Sequence, residues 1–440
     1  MGGLSRWRPA VAGVVQATCL LWLPAHPAVA FTGFGSSAAD ATYGVEMTFE
    51  VDLRGGAPDR LELLLQFAGD GATFVAPATI DGDRGAYRWD ADRDHVTPNT
   101  RITYRWRATT GNEVSVSPPD ELLYDDDRAA LDWQTARIGE ATVHWYGDAA
   151  TQARRFGELT ADGAARAEAT LGHELAGPVD IFVYDSQEEF FGALGPGARE
   201  WTGAAAYPEL RTVFMWLGGG DQAYLETAIV HEVTHVVFFD ATDNPFHEPA
   251  RWLNEGFATW SEQQSADAER SLVEFEADDG LFAFPAISEQ FPIGDRGARL
   301  AYAQGAVMVD RLVDDHGAEA IGRLTAAYRD GATDDQALEA AAGTPADDLY
   351  DAFFAEFGVS EPQPVSPRPI PGSEVALPDS SGGPRSSGDA APASPSEPNE
   401  GAGGAEAESA LLPVAALGLV VVAAIGAAAW WAMRRRGAGA

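Results

Sequence analysis

At 440 residues the chain exceeds what one ordinary core accommodates, so two folded domains with non-globular ends are expected. Hydrophobic residues make up 45% of it and tryptophans number 12, enough for globular packing, while acidic residues outnumber basic ones 67 to 29. The net charge of −38, with arginine as the sole basic residue type, argues against nucleic acid or an anionic membrane surface as partner.

Residues 1–30 carry Arg6 and Arg8, then an apolar run, then Ala28-Val29-Ala30 as a small-x-small cleavage site, the pattern of a secretory signal peptide. The folded parts are therefore expected outside the cytoplasm. Cys19, the only cysteine, lies in the apolar run and leaves with it, so packing alone must hold the fold.

Residues 31–137 are expected to form an antiparallel β-sandwich of immunoglobulin-like size. From Ala41 onward the pattern is strand-like: Tyr43 to Leu53 and Arg101 to Thr110 alternate apolar with polar side chains. Turn residues at Arg54-Gly55-Gly56 and Thr110-Gly111-Asn112 separate the runs. Asp125, Asp126 and Asp127 read as a solvated turn, since no glycine and glutamate follow at calcium-loop spacing.

Residues 138–358 change to a mixed α/β, mainly helical pattern, which makes the whole chain α+β. Ala141–Tyr146, Val179–Tyr184 and Thr212–Leu217 read as strands, with a helix over Ala150–Leu171 between the first two. Gly218-Gly219-Gly220 breaks the chain before a long helix. A loop over 242–248 follows, with Pro249 placed to start the next helix. A helix over Arg299–Asp315 ends at His316-Gly317, and two further helices are expected before Phe357.

Residues 359–408 are rich in Pro, Ser, Gly, Ala and acids and read as a disordered linker. Residues 410–433 are uncharged and apolar over a length that spans a bilayer, and Arg434, Arg435 and Arg436 follow at once in the tail, 434–440. The expectation is a single-pass cell-membrane protein with its folded domains extracytoplasmic and its C-terminus cytoplasmic.

The chemistry concentrates in two segments. In His231-Glu232-Val233-Thr234-His235 the two histidines lie four apart on one helical face, able to present two imidazoles to one ion. A catalytic zinc site takes three protein ligands and leaves one position open, so a third ligand must come from elsewhere. Glu255, twenty residues after His235 on the next helix, is the best candidate, with Glu232 beside the metal as general base.

These segments, His231 to His235 followed by Trp252-Leu253-Asn254-Glu255-Gly256-Phe257-Ala258, resemble the gluzincin metallopeptidases of the Peptidase MA group, thermolysin and aminopeptidase N among them. The resemblance covers about half the chain. It implies one Zn2+ bound by His231, His235 and Glu255, with Glu232 as the base and peptides or proteins as substrates. Leu300-Ala301-Tyr302-Ala303-Gln304-Gly305-Ala306 is similar to the family's Tyr-x-Lys-Gly-Ala segment, which gives Tyr302 the role of oxyanion donor. The aminopeptidases' Gly-x-Met-Glu-Asn segment has no counterpart in Thr202 to Glu209, which favours cleavage of internal bonds.

Other residues have plainer readings. His247 reads as a loop histidine and His316 as a helix-end one. Asn254 is expected to orient the helix start or a ligand, Asp240 to hold a metal-bound imidazole or to sit at a helix end, and Trp252 and Trp260 to be core. The alternatives to an internal peptidase are an aminopeptidase-type exopeptidase and a cell-surface binding or adhesion protein with a vestigial metal site.

Overall fold

The computed structural model describes residues 30–196, 203–292 and 294–364. The expected signal peptide with Cys19, nearly all of the linker, the 410–433 span and the basic tail lie outside the described residues. Among the described residues no helix is long and apolar enough to cross a membrane.

Alternating patterns build the N-terminal region. Its strands are β1 (Phe31–Thr42), β2 (Glu46–Gly55), β3 (Arg60–Phe67), β4 (Phe74–Pro77), β5 (Thr79–Asp81), β6 (Arg84–Asp90), β7 (Thr100–Thr110), β8 (Glu113–Val116) and β9 (Asp120–Tyr124). They form two antiparallel sheets, one in the order β1-β2-β6-β5 and one in the order β4-β3-β7-β8, with β9 also on β7. Met47, Phe49, Val51 and Leu53 of β2 meet Leu61, Leu63 and Leu65 of β3 and Ile102, Tyr104 and Trp106 of β7 in one core. The Phe49 ring stands edge-on to Tyr104 across the two sheets, with centroids 5.0 Å apart.

The strand-like pattern was expected to begin at Ala41, but β1 starts ten residues earlier. Its residues are mostly small or polar and show no apolar alternation; it is held at a sheet edge by an irregular ladder to β2.

The second region opens with β10 (Gln134–Ile138), which pairs with β11 (Ala141–Trp145), so its sheet takes in residues before the expected start at 138. There follow α1 (Ala150–Leu171), β12 (Val179–Tyr184), α2 (Gln187–Leu194), β13 (Ala204–Tyr207) and β14 (Thr212–Trp216). The sheet order is β10-β11-β12-β14-β13, parallel through β11, β12 and β14 and antiparallel at both edges. The chain then turns helical: α3 (Gln222–Thr242), α4 (Arg251–Gln263), α5 (Asp267–Glu276), α6 (Asp295–His316), α7 (Glu319–Arg329), α8 (Asp334–Ala342) and α9 (Ala346–Glu356).

Two expectations need correction here. Among the described residues three helices, not two, follow α6, because Thr333 starts α8 with a capping box and Gly343 ends it in a left-handed turn. Pro249 lies before α4 rather than in its first turn, since Ala250 is the residue at the helix cap.

The two regions meet through polar contacts. Asn99 donates to Thr212 Oγ1 at 2.7 Å, and its amide also lies 3.5 Å from Asp180 Oδ2. Asp126 is buried under a two-point pair with Arg128 at 2.7 and 2.6 Å, so the middle aspartate of the run is an ion-pair anchor, while Asp127 is exposed as a solvated turn requires.

Glu209, in the turn after β13, packs its side chain against Gly69 of the first region. Burial there, with the charge of Glu248 adding to it, pushes the Glu209 carboxyl up to about 7. A carboxyl whose folded-state pKa is raised contributes stability that is complete below its ordinary value of 4.5 and lost as pH rises through about 7. Glu209→Gln is therefore expected to raise the melting temperature at pH 8 and to leave it nearly unchanged at pH 4. Thermal unfolding at both pH values checks this; equal shifts at the two would remove Glu209 as the cause.

Candidate metal centre and active site

Helix α3 begins after the glycine break, where Asp221 accepts a hydrogen bond from the Tyr224 N–H at 2.9 Å. It is apolar on nearly every face and runs through the centre of the second region, which leaves His231, Glu232 and His235 fully buried. Helix α4 packs against it and brings Glu255, 1% exposed, to the same point.

Each imidazole is fixed from behind. His231 Nδ1 lies 2.9 Å from Glu262 Oε1, and His235 Nδ1 lies 2.8 Å from Asn254 Oδ1. With carbonyl or carboxylate oxygens as partners both Nδ1 atoms must donate, so both Nε2 atoms turn a lone pair inward. Those Nε2 atoms stand 3.6 Å and 3.5 Å from Glu255 Oε2, too far for hydrogen bonds. The three ligand atoms lie within 4.8 Å of one another, and among the described residues no other group of His, Cys, Asp or Glu has this geometry.

Among the described residues, His231 Nε2, His235 Nε2, Glu255 Oε2 and Glu232 Oε1 are all buried without a hydrogen-bond partner. Four converging orphaned atoms would be costly in a closed protein core. Two imidazoles, neutral once an ion has displaced their inward protons, and a carboxylate are the donor set of a catalytic zinc site, and the residues fit that ion.

The electrostatics agree with a centre built for a cation. Burial alone would depress His231, but the carboxylates of Glu255 and Glu262 outweigh it and hold the imidazole up to about 10, so a cation must displace a proton from Nε2 to gain that lone pair. Burial would raise Glu255, yet the imidazoles of His231 and His235 and the Arg251 guanidinium keep it well below the ordinary carboxylate range. His235 is lowered, chiefly by burial. Burial, reinforced by the negative charge of Glu255, pushes Glu232 up to about 8 against the opposing effect of His231.

Glu232 is also tied to the sheet. Its Oε2 accepts from the Ala206 N–H at 2.7 Å. Because Gly203 C=O accepts from the Trp216 N–H at 3.0 Å, the alternate residues Gly203, Ala205 and Tyr207 face β14. Ala204 and Ala206 thus turn their backbone groups to the outer edge, beside Glu232.

Tyr302 reaches the site from α6, its ring centroid 6.2 Å from that of His231 and its edge meeting Phe291 at 5.0 Å. Burial and then the charge of Glu255 hold its phenol well above the ordinary value, so it is neutral. Two glycines let α6 approach: a Cβ on Gly256 would lie 2.3 Å from the Gly305 carbonyl carbon, and one on Gly305 would lie 2.2 Å from the Trp252 carbonyl oxygen.

The structure thus brings His231, Glu232, His235, Glu255 and Tyr302 together, and gives Asn254 the partner that spacing could not name. Asp240 stays apart from the centre: it binds His173 Nε2 at 2.7 Å and so ties α3 to the end of α1. His247 pairs with Asp334 at 3.0 Å in the loop before α4, and His316 is the last residue of α6. Trp252 and Trp260 are core, with Trp260 Nε1 donating to Asp310 at 2.9 Å. Sequence reasoning missed Glu262, Arg251 and Ala206. Glu262 was accessible in principle, since it lies seven residues beyond Glu255 and therefore on the same helical face.

Residues 160–356 match the family model described as the Peptidase MA superfamily, which is consistent with the gluzincin-like character read from the two motifs. No curated protein matches the chain. Similar solved structures include an aminopeptidase N family protein from Idiomarina loihiensis, 10% identical over 73% of this chain and 75% of that one, with a TM-score of 0.39. The M1 zinc metallopeptidase from Deinococcus radiodurans is 13% identical over 73% of this chain and 91% of its own, with a TM-score of 0.32. Native yeast LTA4 hydrolase is 11% identical over 76% of this chain and 66% of its own, with a TM-score of 0.35. These three likenesses are too distant to bear on function.

Proposed function

From the match of residues 160–356 to the Peptidase MA model, we propose that the protein is a zinc metallopeptidase. In this reading His231, His235 and Glu255 hold the ion, Glu232 is the proton-transfer group and Tyr302 the oxyanion donor. The observation that carries it is the convergence of three buried, partnerless ligand atoms beside the equally partnerless Glu232 Oε1.

Zinc, when bound, supplies a Lewis acid that acidifies water and polarises a carbonyl oxygen. Glu232 is placed to take a proton from the attacking water and return it to the departing amine nitrogen as the C–N bond breaks. Its Oε2 stays anchored on the Ala206 N–H, which leaves Oε1 to carry the proton. The neutral Tyr302 phenol can donate to the oxyanion that forms as water adds to the carbonyl.

The preference proposed is for internal bonds. It rests on the segment Thr202 to Glu209, which lacks the Gly-x-Met-Glu-Asn pattern by which the aminopeptidases hold a free amino terminus. Attachment to a membrane is part of the proposal, supported by the apolar run 410–433 and the arginines after it, and an extracytoplasmic placement by the signal-like residues 1–30.

The test is metal analysis of the purified protein together with a peptide library in free and end-blocked forms. About one zinc per chain and chelator-sensitive cleavage of blocked peptides are expected. A strict need for a free amino terminus would replace the internal preference with the exopeptidase reading. Bound zinc without cleavage of any library member would instead leave a binding protein.

A further inference from the structure

We propose that Arg251 is a positioning residue that divides the two oxygens of Glu255, keeping it a one-oxygen ligand; this rests on the metallopeptidase reading above. Arg251 lies one turn before Glu255 on α4, and its Nη2 donates to Glu255 Oε1 at 3.2 Å. The other oxygen, Oε2, is the one aimed at the Nε2 atoms of His231 and His235. Without the guanidinium both oxygens could turn toward the ion, and a two-oxygen carboxylate would take up the position that water and substrate share.

Arg251 is itself anchored. Its backbone N–H donates to Ser288 C=O at 2.6 Å, and its guanidinium lies over the Phe291 ring at 5.3 Å. The same Phe291 meets Tyr302 edge-on, so one aromatic side chain braces both groups. Arg251 Nε is buried with no partner among the described residues, a cost that a merely decorative helix ion pair would not carry. The side chain is 34% exposed while Glu255 is 1% exposed, which places Arg251 on the open side of the ligand.

The experiment compares wild type, Arg251→Met and Arg251→Lys in the full chain, loaded with cobalt(II) in place of zinc. It reads the visible spectrum, metal affinity by chelator competition, and kcat and KM on a cleaved peptide. For Arg251→Met the cobalt band is expected to weaken, as it does when coordination number rises, while metal stoichiometry is kept. A kcat loss of about 10–100-fold with little change in KM should accompany it. Arg251→Lys, which keeps a cation but not the fork, should recover part of the spectrum, and it carries the test if the methionine variant fails to fold.

An unchanged spectrum in folded Arg251→Met, or in Arg251→Lys where the methionine variant does not fold, overturns the proposal. So does a rise in KM at constant kcat, which would make Arg251 a substrate contact. Wild-type protein that binds cobalt but cleaves nothing would defeat the peptidase reading alone, since the spectral comparison still decides the role of Arg251. Wild-type protein that binds no metal would defeat both.

Discussion

Replacing Glu232 with glutamine is expected to lower kcat for peptide hydrolysis on the order of 10²–10⁴-fold, with metal stoichiometry and fold unchanged. The amide has nearly the shape of the carboxylate, and its oxygen can still accept from the Ala206 N–H. What it loses is the ability to take a proton from water and hand it to the leaving amine. The three ligand atoms are untouched, so the ion should bind as before. Activity of the Glu232→Gln protein on a library peptide, with its zinc content measured on the same sample, decides the matter. Hydrolysis at the wild-type rate would sink the assignment of Glu232 as the proton-transfer group.

The second large effect is expected at the crossing of α4 and α6. An alanine at Gly256 places its Cβ 2.3 Å from the Gly305 carbonyl carbon and 2.6 Å from its oxygen. Those are backbone atoms of a neighbouring helix, so no rotamer change relieves the contact and the helices must part. Overpacking of this kind costs ~1–3 kcal/mol or more, and here the upper end is expected. The separation also moves Glu255, adjacent in sequence, and Tyr302, one turn before Gly305 on α6. Gly256→Ala should therefore lower the denaturant midpoint and weaken zinc binding together. Gly192→Ala in α2, where a Cβ meets nothing within 4 Å, is the control and should be neutral or slightly stabilising. A Gly256→Ala protein with the wild-type midpoint and affinity would mean that the crossing does not shape the site.

The parts of the site that spacing exposed are those that obey one element's own geometry. His231 and His235 meet because four residues are close to one turn, whatever surrounds the helix. Glu255 was accessible because its helix and its Asn-Glu-Gly setting carry the family resemblance. Asn254 could be suspected but not paired, because its partner His235 belongs to another helix. Asp240 was equally open on spacing, and only the arrival of His173 from the end of α1 determined its contact. β1 escaped notice since pairing along a sheet edge, rather than burial of an apolar face, holds it as a strand.

By itself the sequence determined the sandwich followed by a mainly helical region, the His-Glu-x-x-His pair and its candidate third ligand. Each of these follows from a repeat of two or 3.6 residues along one segment, joined to a family resemblance. Only the tertiary structure decided that Glu262 and Asn254 fix the imidazoles, that Ala206 holds Glu232, and that Arg251 takes one oxygen of Glu255. It also showed how a Gly256–Gly305 contact admits Tyr302 to the cluster. Except for the pair within α4, those contacts join elements distant in the chain. The angle and spacing at which α3, α4, α6 and the edge of β13 meet are set by the shape of the whole core, which no single segment encodes.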